Sequence, residues 1–390
     1  MGTAAARRAY AGPALLSLGF RPFFFGGAVW AALAAPLWVW MYLGGSGLGV
    51  HRDWHVHEML FGFMAAIVAG FLTTAVPNWT GRMPVIGAPL GLLAGLWLAG
   101  RIAMLLEFAL GPAAAVIDSA FLLAFAGVIW REVLAGRNWR NLPVCGLVTA
   151  LALANIAFHL NAALGHSYLG ERVALGAAML LLALIGGRIT PSFTRNWLRA
   201  HKITQEPAAF GPIDRAALAV TAAGAVGWAA FPEAVATGGL LLAAGVLNLV
   251  RLVRWRGWLA AREPLLWILH LGYGWLAFGL GLLGAAVLWD EIPRTAGVHA
   301  LTAGAIGVMT LAVMTRATRG HTGRPLAADQ ATVGIYVAIL WAAVLRVGAP
   351  FWPAAQAPLL IASVILWSLA FAGFAVAYSP MLLKRQPARP

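Results

Sequence analysis

The chain is an almost unbroken succession of apolar runs, each close to the roughly 20 residues that an α-helix needs to cross a bilayer. Twelve can be marked off: 20–43, 57–77, 87–106, 111–130, 141–164, 168–190, 213–231, 235–255, 264–288, 295–316, 331–348 and 355–378. Gly and Pro at their ends (Gly44-Gly45, Gly111-Pro112, Phe231-Pro232, Ala349-Pro350) punctuate them. In lipid every backbone polar group must be satisfied internally, and for separate runs of this length the helix is the structure that does so. The sequence therefore predicts an all-α integral membrane protein of about twelve transmembrane helices, forming one polytopic domain over 1–390. With 61% hydrophobic and 10% charged residues, the composition excludes a soluble enzyme, which is nearer one quarter charged. The 45 Gly suit close helix packing and the 18 Trp interfacial anchoring.

A formal net charge of +14 raises nucleic acid as a partner. The basic residues exclude it, because they form short caps between apolar runs and not one polar face. Cytoplasmic loops collect Lys and Arg, and an even number of spans puts both termini on one side. Placing the termini in the cytoplasm gathers most of the basic residues there. Arg7, Arg8, Arg21 and Arg82 come first, then Arg131, Arg137 and Arg140, then Arg188, Arg195, Arg199, Lys202 and Arg215. Arg251, Arg254, Arg256 and Arg262 follow, then Arg316, Arg319 and Arg324, with Lys384, Arg385 and Arg389 in the tail. The opposite face keeps Arg52, Arg101, Arg172, Arg294 and Arg346. Met1 to Pro13 lack the apolar core and cleavage site of a removable signal. The single Cys145 sits inside an apolar run, so no disulfide framework is expected.

An internal repeat runs through the chain. His57, Gly62, Thr73 and Thr80-Gly81-Arg82 recur as His299, Gly304, Thr315 and Thr322-Gly323-Arg324, all at a spacing of 242 residues. At a spacing of 114, Glu171, Gly176, Pro191 and Thr194 answer His57, Gly62, Pro77 and Thr80. Leu18-Gly19-Phe20 and Gly26 align with Leu271-Gly272-Tyr273 and Gly279. Spans 2, 6 and 10 thus suggest three pseudo-repeated four-helix units, with coincidence in a Gly/Ala-rich chain as the alternative. Such units resemble the arrangement in the catalytic subunit of haem–copper oxidases, where spans 2 and 10 ligate one haem near the outer face. That is an analogy of fold and cannot establish function.

Ionisable residues within a bilayer are costly and are candidates for function. His51, His55, His57, His159, His166 and His299 fall towards outer ends of spans, and His201, His270 and His321 towards inner ends. At about 1.5 Å per residue, His57, His159 and His299 reach similar depth on three helices. Converging imidazoles suit haem iron or copper. His51 and His55 share a helical face, whereas His55 and His57 diverge by about 200°, so the three do not all hold one ion on a regular helix. The alternatives are an interfacial polar turn for His51 and His57, and a hydrogen bond to Asn155, one turn earlier, for His159.

His270 lies on the order of 20 Å from the outer group. It either ligates a second haem, with a partner such as Met314, or bonds Tyr273 or a backbone carbonyl. His201 and His321 read as solvated loop residues. Arg316, Arg319 and Arg324 suit haem propionates or lipid phosphates, although orientation alone explains them. Arg101 in span 3 and Asp118 in span 4 lie at matching depth, as a structural ion pair or part of a proton path. Glu58, Glu107 and Glu171 are placed to feed protons to an outer site. The chain has no P-loop, no GxGxxG opening a soluble α/β unit and no CxxCH, so any haem is non-covalent.

Several segments taken together resemble the NnrS family. They are Leu15-Leu16-Ser17-Leu18-Gly19-Phe20-Arg21-Pro22-Phe23-Phe24, His55-Val56-His57-Glu58-Met59-Leu60-Phe61-Gly62 and Gly186-Gly187-Arg188-Ile189-Thr190-Pro191-Ser192-Phe193-Thr194. His270-Leu271-Gly272-Tyr273, His299-Ala300-Leu301-Thr302-Ala303-Gly304-Ala305-Ile306-Gly307 and Arg319-Gly320-His321-Thr322-Gly323-Arg324-Pro325-Leu326 complete the set. The resemblance covers essentially the whole chain. It implies a bacterial cytoplasmic-membrane protein containing haem and copper, linked to denitrification and to nitric oxide resistance. The matching histidines are His55, His57, His270, His299 and His321, and His159 joins them on depth. The expectation is a haem- and copper-binding protein of nitric oxide metabolism or nitrosative-stress defence. In it His57 and His299 ligate haem near the periplasmic face, His55 and His159 hold copper, and quinol serves as electron donor. A transporter of a metal, haem or nitric-oxide-derived metal complex is the alternative, and a membrane sensor or assembly factor is a third class.

Overall fold

A computed structural model describes residues 10–45, 50–164 and 168–385. His166, Arg7, Arg8 and Arg389 lie outside the described residues. Among the described residues, twelve long helices follow the twelve apolar runs. They are α1 (Phe20–Tyr42), α2 (Arg52–Thr80), α3 (Ala88–Leu105), α4 (Pro112–Ala135), α5 (Leu142–Leu164) and α6 (Leu169–Ala200). Then come α7 (Pro212–Ala230), α8 (Val235–Val253), α9 (Pro264–Leu288), α10 (Arg294–His321), α11 (Gln330–Gly348) and α12 (Gln356–Leu383). No strand occurs among the described residues. Among the described residues, eleven helices are long and apolar enough to cross a membrane. The less apolar one is α7, which is alanine-rich and carries Asp214 and Arg215.

Proline opens α4, α7 and α9, where its missing N–H costs no intrahelical bond. Gly81 ends α2 with φ 71°, and Gly323 adopts φ 66° just beyond α10, a left-handed conformation that glycine takes without a Cβ clash. These two glycines are 242 residues apart. So are two π-helical stretches, Glu58–Met64 in α2 and Ala300–Ile306 in α10. The only other π stretch among the described residues is Leu182–Gly186 in α6, later than a spacing of 114 would put it. The repeat seen between spans 2 and 10 is thus present in the backbone, and every fourth helix starting from α2 carries a π stretch.

The chain groups into two compact units. The first comprises Met1–Ala174, Ala317–Arg324 and Phe371–Pro390. Its interior is aromatic, with Phe20, Phe23 and Phe24 of α1, Phe61 and Phe63 of α2, and Phe121 and Phe125 of α4 all buried. Arg21 is also buried, and its Nη1 donates to the carbonyls of Met381, Leu382 and Lys384 at 3.0, 2.9 and 3.2 Å. It thereby satisfies acceptors that the end of α12 leaves without helical partners. Arg385 donates to the carbonyl of Tyr10 at 2.7 Å and to that of Gly12, so the two described ends of the chain meet.

The second unit comprises Leu175–Arg316 and Pro325–Ala370. Its most polar interior feature is Arg251 of α8, expected in a basic cap but only 1% exposed. Its Nε donates to Asp214 of α7 at 2.8 Å, and its Nη1 donates to the Ala183 carbonyl at 2.8 Å and to the Tyr273 hydroxyl at 2.7 Å. Tyr273 in turn donates to Asn248 at 2.6 Å. Ala183 lies in the π stretch of α6, so the guanidinium supports a carbonyl where the helical ladder changes register.

Candidate metal centre

The first turn of α2 sorts its three histidines. His51 precedes the helix and its Nδ1 accepts from the Trp54 backbone N–H at 3.2 Å, so it acts as an N-cap. His55 stacks on Trp38 with ring centroids 5.2 Å apart. His57 turns inward and is fully buried among Phe61, Phe158 and His159.

Around His57 a set of polar side chains closes in an otherwise apolar interior. Its Nδ1 lies 2.9 Å from Glu58 Oε1 and its Nε2 lies 2.9 Å from Asp118 Oδ2. His159 of α5 brings its own Nε2 to the same Asp118 oxygen at 3.0 Å. Asn155 Nδ2 donates to that oxygen at 2.8 Å, and Ser119 donates to Asn155 Oδ1 at 2.9 Å. Asn155 and His159 therefore meet through Asp118. Arg101 of α3 pairs with both carboxylates, at 2.6 Å to Glu58 Oε2 and through its other terminal nitrogen to Asp118 Oδ1. Glu58, Arg101 and Asp118 are each at most 2% exposed.

One nitrogen of His57, one of His159 and one oxygen of Asp118 lie within 4.8 Å of one another. Two imidazole nitrogens and a carboxylate oxygen at this separation form a donor set that copper, zinc or iron accepts. Each nitrogen facing Asp118 Oδ2 needs a proton or a metal ion between it and the oxygen. The residues thus fit a metal ion on donor chemistry.

A cleft of about 260 Å³ reaches this cluster. His159, Phe158, His51, Met104, Glu107 and Asn161 are among its lining residues. Arg52 and Glu171, also lining residues, pair at 2.8 Å, and Arg52 sits 5.0 Å over the Tyr168 ring. The indole nitrogen of Trp54, another lining residue, is buried with no hydrogen-bond partner among the described residues.

The remaining candidates have surroundings of their own. In the second unit, His299 is partly exposed and its Nδ1 donates to the Thr295 carbonyl at 2.7 Å. His270 Nε2 lies 2.9 Å from the Thr194 hydroxyl. In the first unit His321 stacks on Phe20 at 5.6 Å, Arg319 donates to the Tyr378 hydroxyl at 3.1 Å, and Arg324 is exposed. Sequence reasoning did not single out the Asp214–Arg251–Tyr273–Asn248 network. Its signal was a charge, Arg251, placed inside an apolar run, which the cap pattern masked.

A family model described as NnrS protein matches residues 14–386. Comparison with curated proteins gives no match.

Proposed function

Because this chain belongs to the NnrS family, we propose that it is a haem- and copper-binding membrane protein acting in nitric oxide metabolism or nitrosative-stress defence. One observation carries the copper part of this reading: the approach of His57 Nε2 and His159 Nε2 to a single oxygen of Asp118. In this reading these three residues hold copper. Phe61 and Phe158 keep bulk water from the His57 ring, and His159, on the wall of the cleft, faces a small ligand such as nitric oxide. Haem falls to imidazoles of the second unit. His299 is the leading candidate, because an Nδ1–H held by the Thr295 carbonyl leaves Nε2 as the lone-pair nitrogen of the neutral ring. His270 is the second. Copper would supply one-electron redox chemistry and haem iron a position for a diatomic ligand. Quinol is the proposed electron donor, and the bacterial cytoplasmic membrane, with both termini inside and the copper site towards the periplasm, the proposed setting.

The cleft beside the cluster favours one other reading, a transporter that takes up a metal or metal complex through it. Visible spectra of the detergent-purified protein separate the two. The redox reading expects a haem spectrum that sharpens on reduction and shifts when nitric oxide is added. No haem in protein made under haem-replete conditions, with metal bound rapidly, reversibly and without redox change, would overturn it in favour of transport.

A further inference from the structure

We propose that Glu58 and Arg101 are positioning residues of the metal centre, fixing the aim of His57 and holding Asp118 with one oxygen turned towards both imidazoles. The inference rests on the reading of His57, Asp118 and His159 as metal ligands.

Neighbouring residues on a regular α-helix point about 100° apart, yet Glu58 Oε1 reaches the Nδ1 of His57 at 2.9 Å. Glu58 also opens the π-helical stretch of α2. Accepting the Nδ1 proton leaves Nε2 as the electron-pair donor, the arrangement by which carboxylates orient metal-binding histidines. Arg101 then ties the second Glu58 oxygen to the first Asp118 oxygen. The four side chains close a ring: His57 to Glu58, Glu58 to Arg101, Arg101 to Asp118, and Asp118 back to His57. Three of its links use atoms that no ligand role requires. The fourth, between Asp118 Oδ2 and His57 Nε2, is where the second imidazole also arrives. A guanidinium suits this task because its planar fork fixes two acceptors at once.

Gly62 makes room for the ring. A Cβ there would collide with the terminal nitrogen of Arg101 and lie 2.8 Å from Glu58 Oε2. Its carbonyl is held by the Trp97 indole N–H at 2.9 Å, so the backbone cannot yield without breaking that bond. Gly62→Ala should therefore displace Arg101 although it touches no ligand.

The test is copper affinity of the full-length purified protein, measured by competition with a chelator, together with the Cu(II) paramagnetic resonance spectrum. Glu58→Gln keeps volume and an acceptor for His57 but loses the ion pair with Arg101. Glu58→Gln, Arg101→Lys and Gly62→Ala are each expected to weaken copper binding by about 10–100-fold, the usual effect of losing an outer-shell partner. Each is also expected to change the resonance spectrum. Where Arg101→Lys does not fold, Glu58→Gln decides. Wild-type affinity and spectrum in the folded variants, whatever their stability, would reduce Glu58 and Arg101 to structural residues and overturn the proposal. In that event, loss of copper from His57→Ala and Asp118→Asn would leave the ligand assignment standing. Retention of copper by those two variants would overturn the assignment as well.

Discussion

At the scale of single residues, Asp118 is the hinge of the centre, since one of its oxygens meets His57, His159 and Asn155 while the other meets Arg101. Asp118→Asn preserves shape but removes the charge and turns an acceptor into a donor or a weaker acceptor. We expect it to cut copper content to a small fraction of wild type in metal analysis of purified protein, and unchanged content would count against the ligand role. The sequence placed Arg101 and Asp118 at matching depth, and His57 and His159 likewise, because residue counts from helix ends convert directly to height. It could not show that His57 and Glu58 act together. Adjacent residues diverge on a regular helix, so spacing and depth do not reveal the 2.9 Å approach of Glu58 Oε1 to His57 Nδ1. The direction of His55, which stacks on Trp38, is likewise a matter of rotation and not of depth.

At the scale of helices, the apolar runs mark nearly every element, since hydrophobic length is the main constraint in a bilayer. Ends were less legible where a helix continues past its apolar part, as α6 does to Ala200 and α10 to His321, because basic residues prolong a helix as well as cap it. Two buried arginines counted as caps on sequence alone hold elements together instead. Arg21 satisfies three carbonyls at the end of α12. Arg21→Ala should lower stability by about 2–3 kcal/mol, the scale of hydrogen bonds to a charged group, readable as a drop in thermal midpoint. Arg251→Ala would leave Asp214 with Arg254 and the Gly211 N–H but would strip the Ala183 carbonyl and the Tyr273 hydroxyl of their donor, and should cost about 1–3 kcal/mol. A midpoint unchanged by either variant would remove these anchoring roles.

At the scale of the whole molecule, the basic residues argue for cytoplasmic termini. That orientation is open to a direct test with a membrane-impermeant thiol reagent on intact cells, using single cysteines introduced into loops, since the native Cys145 is buried. Glu291→Cys, in the exposed turn between α9 and α10, should be labelled from outside and Lys202→Cys should not, and the reverse pattern would invert the topology. The repeat between α2 and α10 extends from sequence to backbone in matched π stretches and matched glycine turns. Polar chemistry does not follow it, since His57 is buried between two carboxylates whereas His299 is partly exposed. The same local frame thus serves different side-chain sets, so the repeat alone could not assign a site. The measurement that bears most directly on the central claim is the copper bound per protein in wild type beside His57→Ala, both purified in detergent after copper-replete expression. Tightly bound copper is expected in the wild type and its loss from His57→Ala with the protein still folded; full copper in the variant would rule out His57 as a ligand.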